Sequence, residues 1–421
     1  MNFRLLSAFL FAILVSACAV NPVTGQRQLS LVSEQQEIAL GTQQYQLSIQ
    51  QQGGKYHTDE RVSQYIAEVG NRLAELSHKP ELPYEFTVIN SSIPNAWALP
   101  GGKIAFNRGL LTMLEDEAQL AAVLGHEIVH VTARHGAQGM SRGILLELGA
   151  TAAGVLSGGG DIVSSGIRAG GGLVMASYSR EQELEADLFG TEYMSKAGYN
   201  PQASVELQAK LLSLSAGRGE NTLAALFASH PPSDERMQRN QETANKLSGS
   251  NRNKQRFQQE LATLFKDKKA YENYDKAMQL RDEKKYQQAL ELVNQSIKSQ
   301  PKEGIFWELK GDLLSVDKKN QEALKAYDTA VKVNPEFFQH YLARGIALNA
   351  DQQYAKAEQD LQKANQLMPS RVGVFFLGET YYHRSNYRQA QPLYNQLTGA
   401  NDTWGQNAVK RLNDIAKKQN K

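Results

Sequence analysis

His126, Glu127 and His130 are spaced as H-E-x-x-H, two imidazoles four residues apart with a carboxylate beside the first. Residues four apart share a helical face, so both imidazoles can reach one metal ion. Glu127 is turned about 100 degrees from His126 and can meet a water at that ion without binding the metal itself. Neutral imidazoles with one carboxylate leave Zn²⁺ an open position, and the cation lowers the pKa of a water there enough for attack at neutral pH. A third ligand is available downstream, where residues 179–187 read S-R-E-Q-E-L-E-A-D and offer four acids. Glu183 and Asp187 share a face, while Glu181 and Glu185 point about 160 degrees away from Glu183. One carboxylate of a pair can bind the metal while the other accepts the second N–H of a ligand histidine. Periodicity leaves both pairs open, 183/187 and 181/185.

His230 precedes Pro231 and Pro232. Two prolines stiffen the loop and present the imidazole at low entropic cost. The other possibility is a solvated loop histidine.

The elements that must position these groups are mostly helical. Periodicity predicts helices over 33–51, with Ser33 as N-cap, and over 59–77. Residues 84–90 alternate as a half-buried strand does, and Pro100-Gly101-Gly102 joins two further short strands over 95–99 and 103–106. The strand at Trp97 reads equally as an exposed edge able to hold a substrate segment or as a buried hairpin with Trp97 in the core. The H-E-x-x-H helix is expected from Asp116 to His135, where Gly136 stops it, with an apolar stripe of Ala121, Leu124, Ile128 and Val131. The Gly-, Ala- and Ser-rich residues 137–177 read as a pair of short, close-packed helices, because Glu147, Asp161 and Arg168 interrupt any membrane span. Helices follow over 179–198 and 203–214, and the polar residues 247–256 suggest a domain junction.

The 421 residues, 41% apolar, allow two or three cores, and 46 basic against 44 acidic residues give no electrostatic reason to expect nucleic acid. Residues 5–15 form a compact apolar run after Arg4, too short to span a bilayer but suited to an export signal over 1–18. Val15-Ser16-Ala17-Cys18 reads as a lipobox that would make the only cysteine, Cys18, a lipidated first residue; Ala17-Cys18-Ala19 also fits ordinary signal cleavage. The lipobox reading, with Ala19 after the cysteine, puts the protein in the periplasm on the inner face of the outer membrane. One cysteine excludes a disulfide framework.

The last third repeats. Pro301, Pro335 and Pro369 stand 34 residues apart, as do Ala289, Ala323 and Ala357; Gly311 and Gly345 match, and Gly378, Tyr387 and Ala390 continue the pattern one residue short. This period resembles the tetratricopeptide repeat, in which small residues let paired helices cross closely and proline closes each unit. It predicts a repeat domain over 268–421, about four hairpins and a capping helix.

H-E-x-x-H-x-x-x-R-H over 126–135, followed by S-R-x-x-E-x-x-A-D over 179–187, resembles the HtpX/Oma family of zinc metalloproteases, and His230 to Arg236 matches its H-P-x-x-x-x-R pattern. The resemblance implies a gluzincin-like zinc metalloprotease domain over 21–246, mainly α with a small β-sheet, ahead of a tetratricopeptide α-solenoid. It implies one Zn²⁺ held by His126, His130 and Glu183, Glu127 as general base, and Asp187 as the partner of a ligand histidine. By the same pattern His230 and Arg236 are catalytic-site residues, and Arg134 and His135 give structural support. Exported, repeat-bearing members of the family imply unfolded or misassembled outer-membrane proteins as substrates, and the β-barrel assembly machinery as partner. Some other members have several membrane-spanning helices, and this chain has none after its signal. The rival readings are a chaperone or scaffold whose zinc site His230 holds shut, and a lipid-anchored adaptor without proteolysis.

Overall fold

The computed structural model describes residues 18–156, 178–216 and 223–419, so the expected export signal, apart from Cys18, and the glycine-rich residues 157–177 lie outside the described residues. The chain divides into two compact units, residues 1–49 with 59–264 and residues 50–58 with 265–421.

In the first unit, β1 (Cys18–Val20) pairs antiparallel with β2 (Arg27–Leu29). Helix α1 (Glu34–Gln51) starts where Ser33 and Gln36 cap each other reciprocally, and α2 (Glu60–Glu75) starts where Asp59 accepts from the Arg61 N–H. A three-stranded sheet follows in the order β3 (Glu85–Ile89), β5 (Lys103–Asn107), β4 (Ala96–Leu99), with β3 parallel and β4 antiparallel to β5. Gly101 and Gly102, both at positive φ, make the turn between β4 and β5.

The expected half-buried strand is instead buried along almost its whole length, since both faces of the sheet are covered. Tyr45 and Ile49 of α1 pack with Ile89 and Trp97 on one face, while Gly70 of α2 lets the Phe86 ring approach on the other. Of the two readings of the 95–102 hairpin, the buried one describes the structure: all four β4 residues are buried and Trp97 is core, edge-on to Tyr45, while β4 is the outer strand in the order β3-β5-β4.

After the short α3 (Arg108–Leu111), α4 (Glu117–Thr132) carries the H-E-x-x-H residues, with Asp116 capping the Gln119 N–H. All of its residues except Val123 are buried, so it is a central helix rather than one with a single apolar stripe. It ends earlier than expected. Arg134 takes a left-handed φ of 60°, and its guanidinium bonds Glu37, Ser30 and the Val32 carbonyl. His135 then opens α5 (His135–Leu156), which covers the first part of the 137–177 stretch; the rest of the expected helix pair lies outside the described residues. Gly136 therefore sits inside a helix, where a Cβ would meet the Pro100 ring at 3.1 Å.

Helix α6 (Arg180–Lys196) starts at a capping box between Ser179 and Gln182. Then come α7 (Gln202–Ala216), α8 (Ala224–Ser229), α9 (Asp234–Ala244) and α10 (Lys254–Glu260). The polar residues 247–256 belong to this unit, whose partition falls at Leu264. Their polarity serves ion pairs, Arg252 with Asp116 and Glu206, and a bond from Asn253 to Glu117.

The second unit is a run of helical hairpins: α11 (Ala262–Asp282) with α12 (Tyr286–Ser299), α13 (Gly304–Val316) with α14 (Asn320–Val333), α15 (Phe338–Ala350) with α16 (Tyr354–Leu367), and α17 (Arg371–His383) with α18 (Tyr387–Asn395). Helix α19 (Thr403–Gln419) follows. The alanines at 289, 323, 357 and 390 are all buried, and Gly311, Gly345 and Gly378 sit against Tyr327, Leu361 and Tyr394 where the helices cross. Each hairpin turns through one left-handed residue: Lys284, Lys318, Gln352 and Ser385. No helix among the described residues is long and apolar enough to cross a membrane.

Candidate metal centre

Helices α4 and α6 cross at two glycines. A Cβ on Gly125 would stand 2.7 Å from the Gly190 carbonyl oxygen, and one on Gly190 would stand 2.7 Å from the His126 nitrogen. Backbone contact at this crossing brings the acids of α6 beside the histidines of α4.

Ligand atoms of His126, His130, Glu183 and His230 lie within 4.8 Å of one another, all four side chains are buried, and together they could hold a metal ion. Glu183 Oε1 is 3.4 Å from His130 Nε2, and Glu183 Oε2 is 3.5 Å from His126 Nε2. The Nε2 atoms of His126 and His130 are 3.0 Å apart. Of the two acidic pairs, 183/187 is the one that lies beside the histidines. Glu181 is exposed, and Glu185 accepts from Asn21 Nδ2 at 2.8 Å.

Asp187 Oδ1 lies 3.0 Å from His126 Nδ1, which turns the Nε2 lone pair of that ring toward the cluster. Arg236 grips Asp187 through Nε and Nη2 at 2.7 and 2.8 Å, reaches Glu183 Oε2 through Nη1 at 2.7 Å, and also donates to the Pro231 carbonyl. The sequence expectation made Arg236 catalytic; its contacts are with the two carboxylates and the His230 loop. His230 closes α8 as its C-cap, with Nδ1 3.0 Å from Glu183 Oε1 and Nε2 3.6 Å from Glu127 Oε1. It is not a solvated loop histidine.

The charges follow from these contacts. Burial alone would raise the Glu183 carboxyl, but His230 and His126 outweigh it and hold it well below the usual range. Burial likewise opposes ionisation of Asp187, and the Arg236 guanidinium overcomes it. Burial drives His130 well below its ordinary value, leaving the neutral imidazole that a metal requires. Glu127 is pushed up by burial, against the pull of His230 and His126. His230 is raised, since Glu183 and Glu127 outweigh its burial.

The residues fit a divalent cation of borderline softness. The buried Glu127 Oε2 has no hydrogen-bond partner among the described residues, as expected of a group facing a centre that protein atoms do not fill.

Several contributors carried no readable signal in the sequence. Tyr178 stacks on the His130 ring with centroids 3.6 Å apart, and Gln208 Nε2 reaches Asp187. An aromatic one residue ahead of the α6 cap is the only hint of the first. Gly125 and Gly190 were legible only as small residues.

A helix-borne H-E-x-x-H joined by a carboxylate from a later helix defines the zincin class of site. The chain belongs to peptidase family M48, whose model matches residues 60–244, and a tetratricopeptide repeat model matches 274–327 and 317–370. Metalloprotease YcaL of Escherichia coli is 31% identical over 192 residues, covering 42% of this chain and 71% of that one. Mitochondrial metalloendopeptidase OMA1 of Schizosaccharomyces pombe is 32% identical over 229 residues, 52% of this chain and 65% of its own. The beta-barrel assembly-enhancing protease of Yersinia pestis is 30% identical over 203 residues, 45% of this chain. The match spans only 40% of that relative's length.

Proposed function

We propose that the protein is a zinc-dependent endopeptidase of the bacterial envelope that acts on misfolded or stalled outer-membrane proteins. The observation that carries the peptidase reading is the convergence of His126, His130 and Glu183 beside the buried Glu127 carboxylate, whose Oε2 has no hydrogen-bond partner among the described residues. Zinc, when bound, supplies a Lewis acid for a peptide carbonyl and eases deprotonation of water. His126, His130 and Glu183 hold it, and Asp187 and Arg236 orient His126 and Glu183. Glu127 takes the proton from the attacking water and passes it to the leaving amine. β4, the outer strand of its sheet, aligns the substrate as an added strand.

The repeat unit selects clients or docks the β-barrel assembly machinery, a reading supported by the repeat match and by the name of the Yersinia relative. Cys18 as a lipidated residue would hold the chain at the inner face of the outer membrane, and this rests on residues 15–18.

One observation favours a second reading, a chaperone or scaffold whose site is normally shut. His230 Nδ1 lies 3.2 Å from His126 Nε2 and 3.0 Å from Glu183, where it can fill the open position as a fourth ligand. Cleavage and rescue of an unfolded outer-membrane protein, compared between wild type and Glu127→Gln, separate the two. Cleavage lost in the variant supports the peptidase, and rescue undiminished in the variant supports the chaperone. Equal cleavage by both would remove Glu127 from the mechanism. Higher activity in His230→Ala would mark His230 as the inhibitory ligand.

A further inference from the structure

The cavity that borders His126, Glu127 and His230 extends away from the four ligand atoms, between α4, α7, α8 and α9. Most of its wall is apolar, made by Leu110, Ala122, Val123, Leu207, Leu211 and Leu226. It holds about 60 Å³, several times the 10–15 Å³ that one water needs. The small Ala122, on the same helix as the histidines, leaves this space open.

Apart from the site residues, the remaining wall is polar, formed by Ser204, Gln208, Asn240 and Arg236, whose guanidinium is already held by Asp187 and Glu183. Ser204 donates to the Pro201 carbonyl, and Gln208 reaches Asp187, so both have protein partners. Asn240 differs. It is 2% exposed, and its Oδ1 is buried with no hydrogen-bond partner among the described residues. A buried acceptor without a donor is costly, and a ligand that brings the donor removes that cost.

We propose that this cavity is the subsite for the side chain next to the scissile bond, and that it selects a large, mostly apolar side chain tipped with a donor: tyrosine ahead of phenylalanine and leucine. The inference rests on the peptidase reading above. Its occupant follows from continuity, because a peptide whose carbonyl faces Glu127 and the ligand cluster has its neighbouring side chain at the mouth of this cavity. The apolar walls desolvate the ring, and the phenolic O–H donates to Asn240 Oδ1. Charged and very small side chains are disfavoured, the first by desolvation and the second by the empty space they leave.

The test uses the full chain loaded with zinc and a peptide library randomised around one cleavable bond, read by mass spectrometry of the products. One flanking position should be enriched in large apolar residues, and at that position tyrosine should exceed phenylalanine in kcat/KM by roughly fivefold, about what one recovered neutral hydrogen bond gives. Asn240→Leu should abolish or reverse the tyrosine preference while keeping the apolar one. Ala122→Leu, which shrinks the space, should shift the preference toward smaller residues. Binding of the same tyrosine and phenylalanine peptides to Glu127→Gln should follow the same order without turnover. Cleavage with no preference at a single flanking position, or a tyrosine-to-phenylalanine ratio unchanged in Asn240→Leu, overturns the subsite. No cleavage by zinc-loaded wild type overturns the peptidase reading instead, and the binding order then judges the cavity separately.

Discussion

The Nδ1 atoms of His130 and His135 face each other at 2.8 Å, so one of them must carry the proton that joins the rings. His135 Nε2 in turn lies 3.6 Å from Glu185 Oε1, which accepts from Asn21. The orientation of the His130 imidazole is thus set from α5. His135→Ala should weaken zinc binding by roughly 10- to 100-fold, the usual effect of losing such a partner. Chelator competition measures it; unchanged affinity in a folded variant would show that His130 holds its own orientation.

Glu183 and Glu127 should separate in their effects. Glu183→Ala should leave well under one zinc per chain, because two imidazoles alone hold the ion poorly. Glu127→Gln should keep its zinc and lose activity by at least about 10²-fold, the lower range for a proton-transfer group. Metal analysis alongside a peptide assay checks both. A zinc-free Glu127→Gln would reassign that residue to metal binding.

Arg236 sits among carboxylates that are buried with it. Removing one partner from such a cluster leaves uncompensated charge, so Arg236→Ala should destabilise the first unit by about 3–5 kcal/mol. Arg236→Lys keeps the charge but not the two-pronged grip on Asp187, and should fall between. Denaturant unfolding measures the difference, and a loss below about 1 kcal/mol would mean that the carboxylates are stabilised by other groups.

In the repeat unit, Asp312 of α13 faces Glu308 on its own helix, Tyr327 of α14 and Arg281 of α11. Burial, with Glu308 adding to it, pushes the Asp312 carboxyl up to about 7 from 3.8. The folded chain therefore binds this proton more tightly than the unfolded one. Stability contributed here falls as pH rises through that window and stays lost above it. Asp312→Asn should raise the Tm at about pH 8 and leave it nearly unchanged at about pH 4, where wild type is already protonated. An equal change at both pH values would point to packing rather than ionisation.

Two glycines give opposite expectations. A Cβ on Gly311 would come within 2.5 Å of the Tyr327 ring, so Gly311→Ala should cost about 1–3 kcal/mol of overpacking. Gly139 lies exposed in α5 with nothing within 4 Å of a Cβ, so Gly139→Ala should stabilise by about 0.5–1 kcal/mol. Thermal unfolding of both variants tests whether the helix crossing is as close as it stands.

The sequence alone determined what local periodicity and capping can encode. His126 and His130 share a face because a helix repeats every 3.6 residues. Ser33, Asp59, Asp116 and Ser179 cap helices because their side chains satisfy free N–H groups. The alanines at 289, 323, 357 and 390 mark hairpin crossings because only small residues fit there. Tertiary structure decided what each face meets. That 183/187 rather than 181/185 turns inward depends on the Gly125–Gly190 contact. That Arg134 breaks the helix before Gly136 depends on Glu37, 97 residues earlier. His135 meets His130 only because the chain turns at that break, and residues 84–90 are buried on both faces only because α1 and α2 close over them. A repeat in sequence records which side chains point the same way; the partner across the gap comes from a distant part of the chain, and no local pattern carries its identity.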